Sequence, residues 1–546
     1  MKKTFTTIIL LLLCIGTNAQ APNFAWAKGA GGTGDEYGAS TSTDALGNVY
    51  VAGSFYSSTL SFGTITLTNA GDADIFIVKY GVAGNVLWAK SSGGIGTDAG
   101  NSTCTDSYGN VYVTGYFYSS TISFGTITLT NAGNRDIFIV KYDPSGNVIW
   151  AKSAGNTNYE NGLSNSIDVM GNVYLTGNYQ SPTITFGAIT LTNTANNGGS
   201  DIFIVKYDSS GNVLWAKNEG GFGNDFGTSI TTDNSSNVFV TGFYNSTSIT
   251  FGTITLTNPS SIGYANMYIV KYDTQGNLLW AKSVDGTAGN VSYSASTDAL
   301  GNVFVTGYYI SSIIFGTIQL NNTGKEEMFI VKYDSSGNPL WANGVGNAGK
   351  VVGYKTCTDY NGNVYVSGNF TYYPITFGTI TLANAGNDDI YIVKYDALGN
   401  VLWAKRKGST GDEVGLGISS NLFGTVYITG SFDSPSITIG GTTLTNAGHY
   451  DMFIAKLSTT TGIEESAFDA GIKIYPNPTS GFINIDLKNI LGKNISFELY
   501  NMLGEILEKQ SLINNETQVQ LNVPAGMYFV RLYSDNNVTT QKIIVE

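Results

Sequence analysis

The stretch Gly47-Asn48-Val49-Tyr50-Val51-Ala52-Gly53, with Asp74-Ile75-Phe76-Ile77-Val78-Lys79-Tyr80 and Gly84-Asn85-Val86-Leu87-Trp88 behind it, decides the reading of this chain because it repeats. The first element recurs at Gly109–Gly115, Gly171–Gly177, Ser236–Gly242, Gly301–Gly307, Gly362–Gly368 and Gly424–Gly430, and the second starts again at Asp136, Asp201, Asn266, Glu327, Asp389 and Asp451. The tryptophans Trp26, Trp88, Trp150, Trp215, Trp280, Trp341 and Trp403 fall 61 to 65 residues apart. A fixed period of this kind marks a stacked supersecondary unit. It also fits the length, since the chain has 546 residues and single cores stop growing at roughly 250–300.

Within the first unit, Ala39–Asp44, Asn48–Phe55, Asp74–Tyr80 and Asn85–Lys90 read as four strands joined by turns. The turns of the type Asp44-Ala45-Leu46-Gly47-Asn48 put Gly or Asn where a hairpin needs positive φ, so this motif is turn chemistry, and it lacks the further carboxylates of a calcium loop. Both alternating sets of the third strand, Ile75/Ile77 and Phe76/Val78, are apolar, so the sheet is covered on two faces, as in stacked propeller blades. Ser42 and its equivalents Cys104, Ser166, Thr231, Ser296, Cys357 and Ser419 are small, as crowding near an axis demands. Each unit carries a further alternating segment such as Thr59–Asn69, read as an extra ribbon.

The two ends complete each other. The last unit, Asp451–Leu457, has no Trp strand after it, and Phe24-Ala25-Trp26-Ala27-Lys28 is a Trp strand with no unit before it. Joining them predicts an all-β, seven-bladed β-propeller over residues 20–457 in which an N-terminal strand closes the last blade and removes two sheet edges. Residues 1–19 read as a signal peptide: Lys2 and Lys3, an apolar run to Ile15, then Thr17-Asn18-Ala19. That run is too short for a membrane span, and no other stretch supplies one. Cys104 and Cys357 occupy one equivalent position in two separated units, so they are expected to be unpaired.

Gly accounts for 68 residues and Tyr for 34, a balance suited to short strands and tight turns, and the net charge of −13 argues against nucleic acid as a partner. The repeated motifs resemble the bacterial secreted β-propeller (SBBP-like) repeat across about Pro22–Leu457. That resemblance implies a fold and only loosely a function. Beyond a Ser/Thr-rich then acidic linker at 458–471 come Tyr475-Pro476-Asn477-Pro478-Thr479-Ser480-Gly481, Phe497-Glu498-Leu499-Tyr500-Asn501-Met502-Leu503-Gly504 and Ala525-Gly526-Met527-Tyr528-Phe529-Val530-Arg531-Leu532. This segment, 472–546, resembles the type A C-terminal (Por) sorting domain of type IX secretion cargo. Its alternating strands independently predict a small β-sandwich. The resemblance implies the type IX machinery as partner, a Gram-negative source, and a secreted or outer-surface location.

Catalytic signals are thin. His449 is the sole histidine, which leaves no His triad or cluster, and no metal site or cofactor is expected. The pairs Asp35/Glu36 and Asp412/Glu413 supply the residue types of acid/base chemistry, but adjacency in a loop fixes no carboxylate separation. Asp35, Asp98, Glu160, Asp225 and Asp412 lie in loops entering the inner strands, with Asn290 and Lys350 in the other two units. On one propeller face they form a candidate acidic ring for a sugar or for a cation such as calcium; the plainer reading is solvated loop charge. The recurring Lys79, Lys141, Lys206, Lys271, Lys332, Lys394 and Lys456 sit on apolar strands and are expected to reach a turn carboxylate or the blade's edge. Tyr and Phe after the second strand, such as Phe55-Tyr56, Phe117-Tyr118 and Tyr308-Tyr309, are candidates for stacking on sugars, and packing against the extra ribbon accounts for them equally well. The expected function is a non-catalytic binding, adhesion or structural module with a glycan or surface-protein ligand. The alternative is a secreted polysaccharide-degrading enzyme, a glycosidase or lyase.

Overall fold

The computed structural model describes residues 21–458, except 196–197, 261–262, 285, 287 and 422–423, and residues 473–546, except 488–494, 502–504, 513–515 and 535–536. The signal segment 1–19 and nearly all of the linker 458–471 lie outside the described residues. Among the described residues the secondary structure is all β, without helix.

The first unit shows how sequence becomes sheet. Its strands are β1 (Phe24–Ala30), β2 (Glu36–Thr43), β3 (Val49–Phe55), β4 (Thr59–Phe62), β5 (Ile65–Thr68), β6 (Asp74–Tyr80) and β7 (Val86–Ser92). Strands β2, β3, β6 and β7 pair in that order as an antiparallel meander, and β4 and β5 form a separate two-stranded ribbon. The inner strand begins three residues earlier than the sequence suggests, at Glu36. This four-plus-two pattern recurs along the chain, and the sheet built from Glu413–Ser420, Val426–Phe432 and Asp451–Leu457 takes β1 as its fourth strand. Trp26 faces Lys456 and Ala30 faces Met452 across that join. The arrangement is propeller-like, and the free edges that the sequence leaves at its two ends are paired with each other.

A single node explains why the three motifs recur together. Asp44 Oδ1 accepts the backbone N–H groups of Leu46 and Asn48, closing the turn, and Gly47 sits at φ +79°. The second oxygen, Oδ2, lies 3.4 Å from the Lys79 ammonium. Lys79 and the Trp88 indole N–H both donate to the Pro144 carbonyl of the next sheet, at 3.2 and 3.0 Å. Turn, third strand and Trp strand are thereby fastened to the neighbouring unit. The buried lysines Lys141, Lys206, Lys271 and Lys332 and the partly buried Lys394 pair with Asp106, Asp168, Asp233, Asp298 and Asp359 at 3.1–3.7 Å, as turn carboxylates were expected to serve them. At the join, Lys456 and Trp26 both donate to the Val82 carbonyl.

The inner strands are linked by hydroxyls. Thr105 donates to the Thr43 carbonyl, Thr297 to Thr232, Thr358 to Thr297, Ser420 to Thr358, and Thr43 to Ser420, so the series returns to its start across the join. Ile167 interrupts it, having no hydroxyl, although its carbonyl accepts from Thr232. Ser42 faces Tyr50, and Cys104 and Cys357 face Tyr112 and Tyr365, so the small residues share one register position. Both cysteines are free thiols, and burial raises both, Cys357 to about 12.

At the C-terminus, strands Lys473–Tyr475, Phe482–Asp486 and Glu516–Gln520 form a three-stranded sheet, and Ile506–Leu512, Ile495–Tyr500, Gly526–Ser534 and Asn537–Val545 a four-stranded one. Both contribute to one buried cluster that includes Ile483, Phe497, Val530 and Ile543.

Candidate functional site

Each repeated sheet has two ends. One carries the Asp-x-x-Gly-Asn turns and opens on a cavity of about 350 Å³ lined by Thr43, Asp44, Thr105, Asp106, Asp298 and Asp359 among others. Those carboxylates are occupied by turn N–H groups and lysines, so the cavity presents mostly hydroxyl and backbone edges.

The other end carries the loops into the inner strands, where the candidate carboxylates were expected. The register corrects that expectation. Asp98 faces Phe117, Glu160 faces Tyr179 and Asp225 faces Tyr244; the residues facing the same partners in the first, sixth and last sheets are Glu36, Val351 and Glu413. Asp35, Lys350 and Asp412 are one residue out of phase, and one residue in a strand reverses the face. The in-register acids are fully buried rather than solvated. Asp98 accepts Gly94 N–H at 2.9 Å, Tyr118 N–H at 3.0 Å and the Ser119 hydroxyl at 2.6 Å. Asp225 accepts Gly221 N–H and the Ser246 hydroxyl, and Glu160 accepts the N–H groups of Asn156 and Ser181. They buckle two loops together. Burial raises all three, Asp225 to about 6, against the lowering effect of those donors.

The five candidates therefore do not form one ring. The structure brings Asp35 and Asp412 to opposite sides of Tyr450, whose N–H donates to Asp35 at 3.3 Å and whose hydroxyl donates to Asp412 at 3.4 Å. Asp98, Glu160 and Asp225 sit apart, each enclosed by its own loops. Glu36 and Glu413 are buried too, so Asp35/Glu36 and Asp412/Glu413 are not paired acids facing one space. His449 is exposed, with its backbone N–H on the Gly34 carbonyl.

A second buried acid stands at the start of the third strand in every unit but the fourth. Asp74, Asp136, Asp389 and Asp451 each accept one backbone N–H, from Ala70, Ala132, Ala385 and Ala447, and leave the other oxygen without a partner. Burial raises Asp74, Asp136 and Asp451 to about 6. Asn266 stands at this position in the fourth unit and donates to the Val284 carbonyl.

Two of the tyrosines singled out from the sequence, Tyr56 and Tyr118, belong to an aromatic patch on the loop end whose other members the sequence did not reveal. Tyr37 lies 5.8 Å from Tyr450 and 6.5 Å from Tyr56, ring centre to ring centre. In the adjoining sheet Tyr116 meets Tyr118 edge-on at 5.8 Å, and Tyr118 lies 6.3 Å from Tyr159. Tyr56, Tyr118 and Tyr159 are about two-fifths exposed. Phe55, Phe117 and Tyr309 are buried core, so of the Tyr/Phe doublets only the second members Tyr56 and Tyr118 are presented outward, with Tyr308 half-buried. Burial together with the neighbouring Asp35 pushes Tyr37 up to about 12, so its hydroxyl stays protonated and able to donate.

Among the described residues no helix is long and apolar enough to cross a membrane, and no group of three or more His, Cys, Asp or Glu is placed to hold a metal ion. The chain is similar to an uncharacterized WD repeat-containing protein of Acanthamoeba polyphaga mimivirus, 27% identical with 79% of this chain and 38% of that protein covered. It is also similar to the regulatory protein FlaEY of Caulobacter vibrioides, 25% identical over 64% of this chain and 37% of the other. The chain thus spans well under half the length of these curated relatives. Among solved structures, Sqt1 from Chaetomium thermophilum aligns with 80% of this chain and 99% of its own at 9% identity, with a TM-score of 0.38, too low to bear on fold or function. The C-terminal segment gives the firmest match: residues 473–546 are a secretion system C-terminal sorting domain of the Por_Secre_tail family, which marks the chain for export to the surface or the medium.

Proposed function

We propose that the chain is a seven-bladed propeller closed by its N-terminal strand, followed by a small sandwich that addresses it to type IX secretion. Its work outside the cell is non-catalytic glycan binding through the loop end of the propeller. The observation that carries the reading is the patch of half-exposed tyrosines, Tyr37, Tyr56, Tyr118, Tyr159 and Tyr450, bordered by Asp35 and Asp412. Flat aromatic faces stack on the C–H faces of sugars and carboxylates accept sugar hydroxyls, so both halves of a pyranose surface are matched. The buried acids favour binding over hydrolysis: Asp98, Glu160 and Asp225 are enclosed by donors, and no two are presented to one space as a glycosidase needs.

A panel of soluble glycans titrated against the mature protein tests this. Binding without released product, weakened at least tenfold by Tyr56→Ala with Tyr118→Ala, is the expected result. Release of oligosaccharides would replace the reading by the enzyme alternative, and binding indifferent to both tyrosines would move the site elsewhere.

A further inference from the structure

Arg135 stands among three of these tyrosines. Its guanidinium carbon is 4.6 Å from the centre of Tyr116, 5.5 Å from Tyr118 and 5.6 Å from Tyr159. The backbone on either side is fixed: Arg135 N–H donates to the Asn158 carbonyl, and its own carbonyl accepts from Glu160 N–H. The side chain is therefore aimed, not trailing.

The fold does not need an arginine there. Arg135 is the residue before the acid that opens the third strand, and the same place holds Ala73, Ser200, Ala265, Glu326, Asp388 and Tyr450 in the other units. Nor is its charge matched as Arg406 is, 2.9 Å from Asp389. Among the described residues no carboxylate lies within 4 Å of Arg135; Nη1 has the Tyr118 hydroxyl at 3.4 Å, and Nε is buried without a partner. Glu160 acts on it only from a distance, being itself engaged by Asn156 and Ser181.

We propose that Arg135 makes the tyrosine patch selective for acidic glycans, receiving the carboxylate of a uronic acid whose ring stacks on Tyr118 or Tyr159. This rests on the glycan-binding reading above and names its substrate class. A guanidinium flanked by aromatic rings has its faces covered and its donor edge left for an acceptor, and a planar carboxylate matches that edge two-pronged. Aromatic contact also holds the cation where a bound carboxylate finds it already oriented. The charge of −13 disfavours long polyanions over the whole surface, so the site suits a short acidic stretch of a chain or its end.

The test uses the full mature protein and two forms of one oligosaccharide, trigalacturonic acid and its methyl ester, which share the sugar rings and differ in the charge and methyl caps of the carboxyl groups, with a neutral glucan and chitin oligomer alongside. Wild type is expected to bind the acid at least tenfold more tightly than the ester. Arg135→Gln should abolish that preference and leave ester binding within about twofold, with Arg135→Lys between, while an unchanged melting temperature shows that the variants fold. Equal binding of acid and ester, or a preference that survives Arg135→Gln, overturns the proposal and leaves the glycan reading standing. Failure to bind any of the four overturns both.

Discussion

Removing the N-terminal strand should destabilise the repeated sheets far more than its length suggests. Phe24 is 8% exposed and packs in the same cluster as Phe453 and Leu457 of the last sheet and Ile437 of the ribbon beside it. Phe24→Ala alone should cost about 3 kcal/mol, at the low end for a buried aromatic. Trp26 is half-buried, lies 5.9 Å from Tyr427 and 6.2 Å from Tyr80, and donates to the Val82 carbonyl, so it couples the last sheet to the first. Trp26→Ala should cost about 2–3 kcal/mol, less than full burial because part of the ring already meets water. Deleting residues 21–30 removes both, together with the ladder from Trp26 to Ala30, and bares the edge of Asp451–Leu457. Equilibrium urea unfolding of the three variants against the mature chain gives the order, and a synthetic peptide spanning Phe24–Ala30 added in trans should recover part of the deletion's loss. An unchanged urea midpoint for the deletion would refute the closure, and so would loss in the single variants without loss in the deletion.

The buried acids predict an unusual pH dependence. Asp74, Asp136 and Asp451 are raised from 3.8 to about 6, so their contribution to stability is full below about pH 4 and is lost as pH rises through 6. The unfolding free energy from urea titrations should fall from pH 5 to pH 7.5 by about 1 kcal/mol per group after screening, and Asp74→Asn with Asp136→Asn should flatten the slope. Lys141→Met leaves Asp106 buried without its cation and should cost about 3 kcal/mol, most of it recovered when Asp106→Asn is added, as a double-mutant cycle reads directly. Cys104 and Cys357 should resist alkylation in the native protein and take two labels once denatured, without reductant. A chain ending at Ser458 should fold with an unchanged urea midpoint but stay in the periplasm of a type IX-competent host, and equal surface delivery of the short and full chains would contradict the sorting role.

The repeat was legible because one physical node generates it. Lys79 and Trp88 meet on one turn of the next sheet and Lys79 also reaches Asp44 in the turn of its own, so the three recur at the same spacing, with Asn421 in place of the Asp in the last unit. The join was legible for the same reason: Trp26 and Lys456 take the places of Trp88 and Lys79 on Val82. What failed was phase. Asp35-Glu36 and Asp412-Glu413 offer two acids in succession, and composition does not say which one turns inward. Only the pairing of Glu36 with Phe55 and of Glu413 with Phe432 decides it, and it sends the loop carboxylates of the in-register set into the protein.

Of the tyrosine patch only Tyr56 and Tyr118 were legible, and the rest was out of reach for a different reason. Tyr116 closes a second strand, Arg135 precedes a third, and Tyr159 precedes the inner strand of the following sheet, joined to Arg135 by a parallel bridge. These places vary between units: the equivalents of Tyr116 include Ser54, Asn178 and Phe243, with tyrosine again only at Tyr308, and those of Tyr159 include Asp35, Thr97 and Lys350. A period search finds what all units share, which is what holds the sheets together. The differences fall at the loop end, where the fold tolerates alanine as readily as arginine, and a residue that the fold does not require in any other unit is free to answer to a ligand.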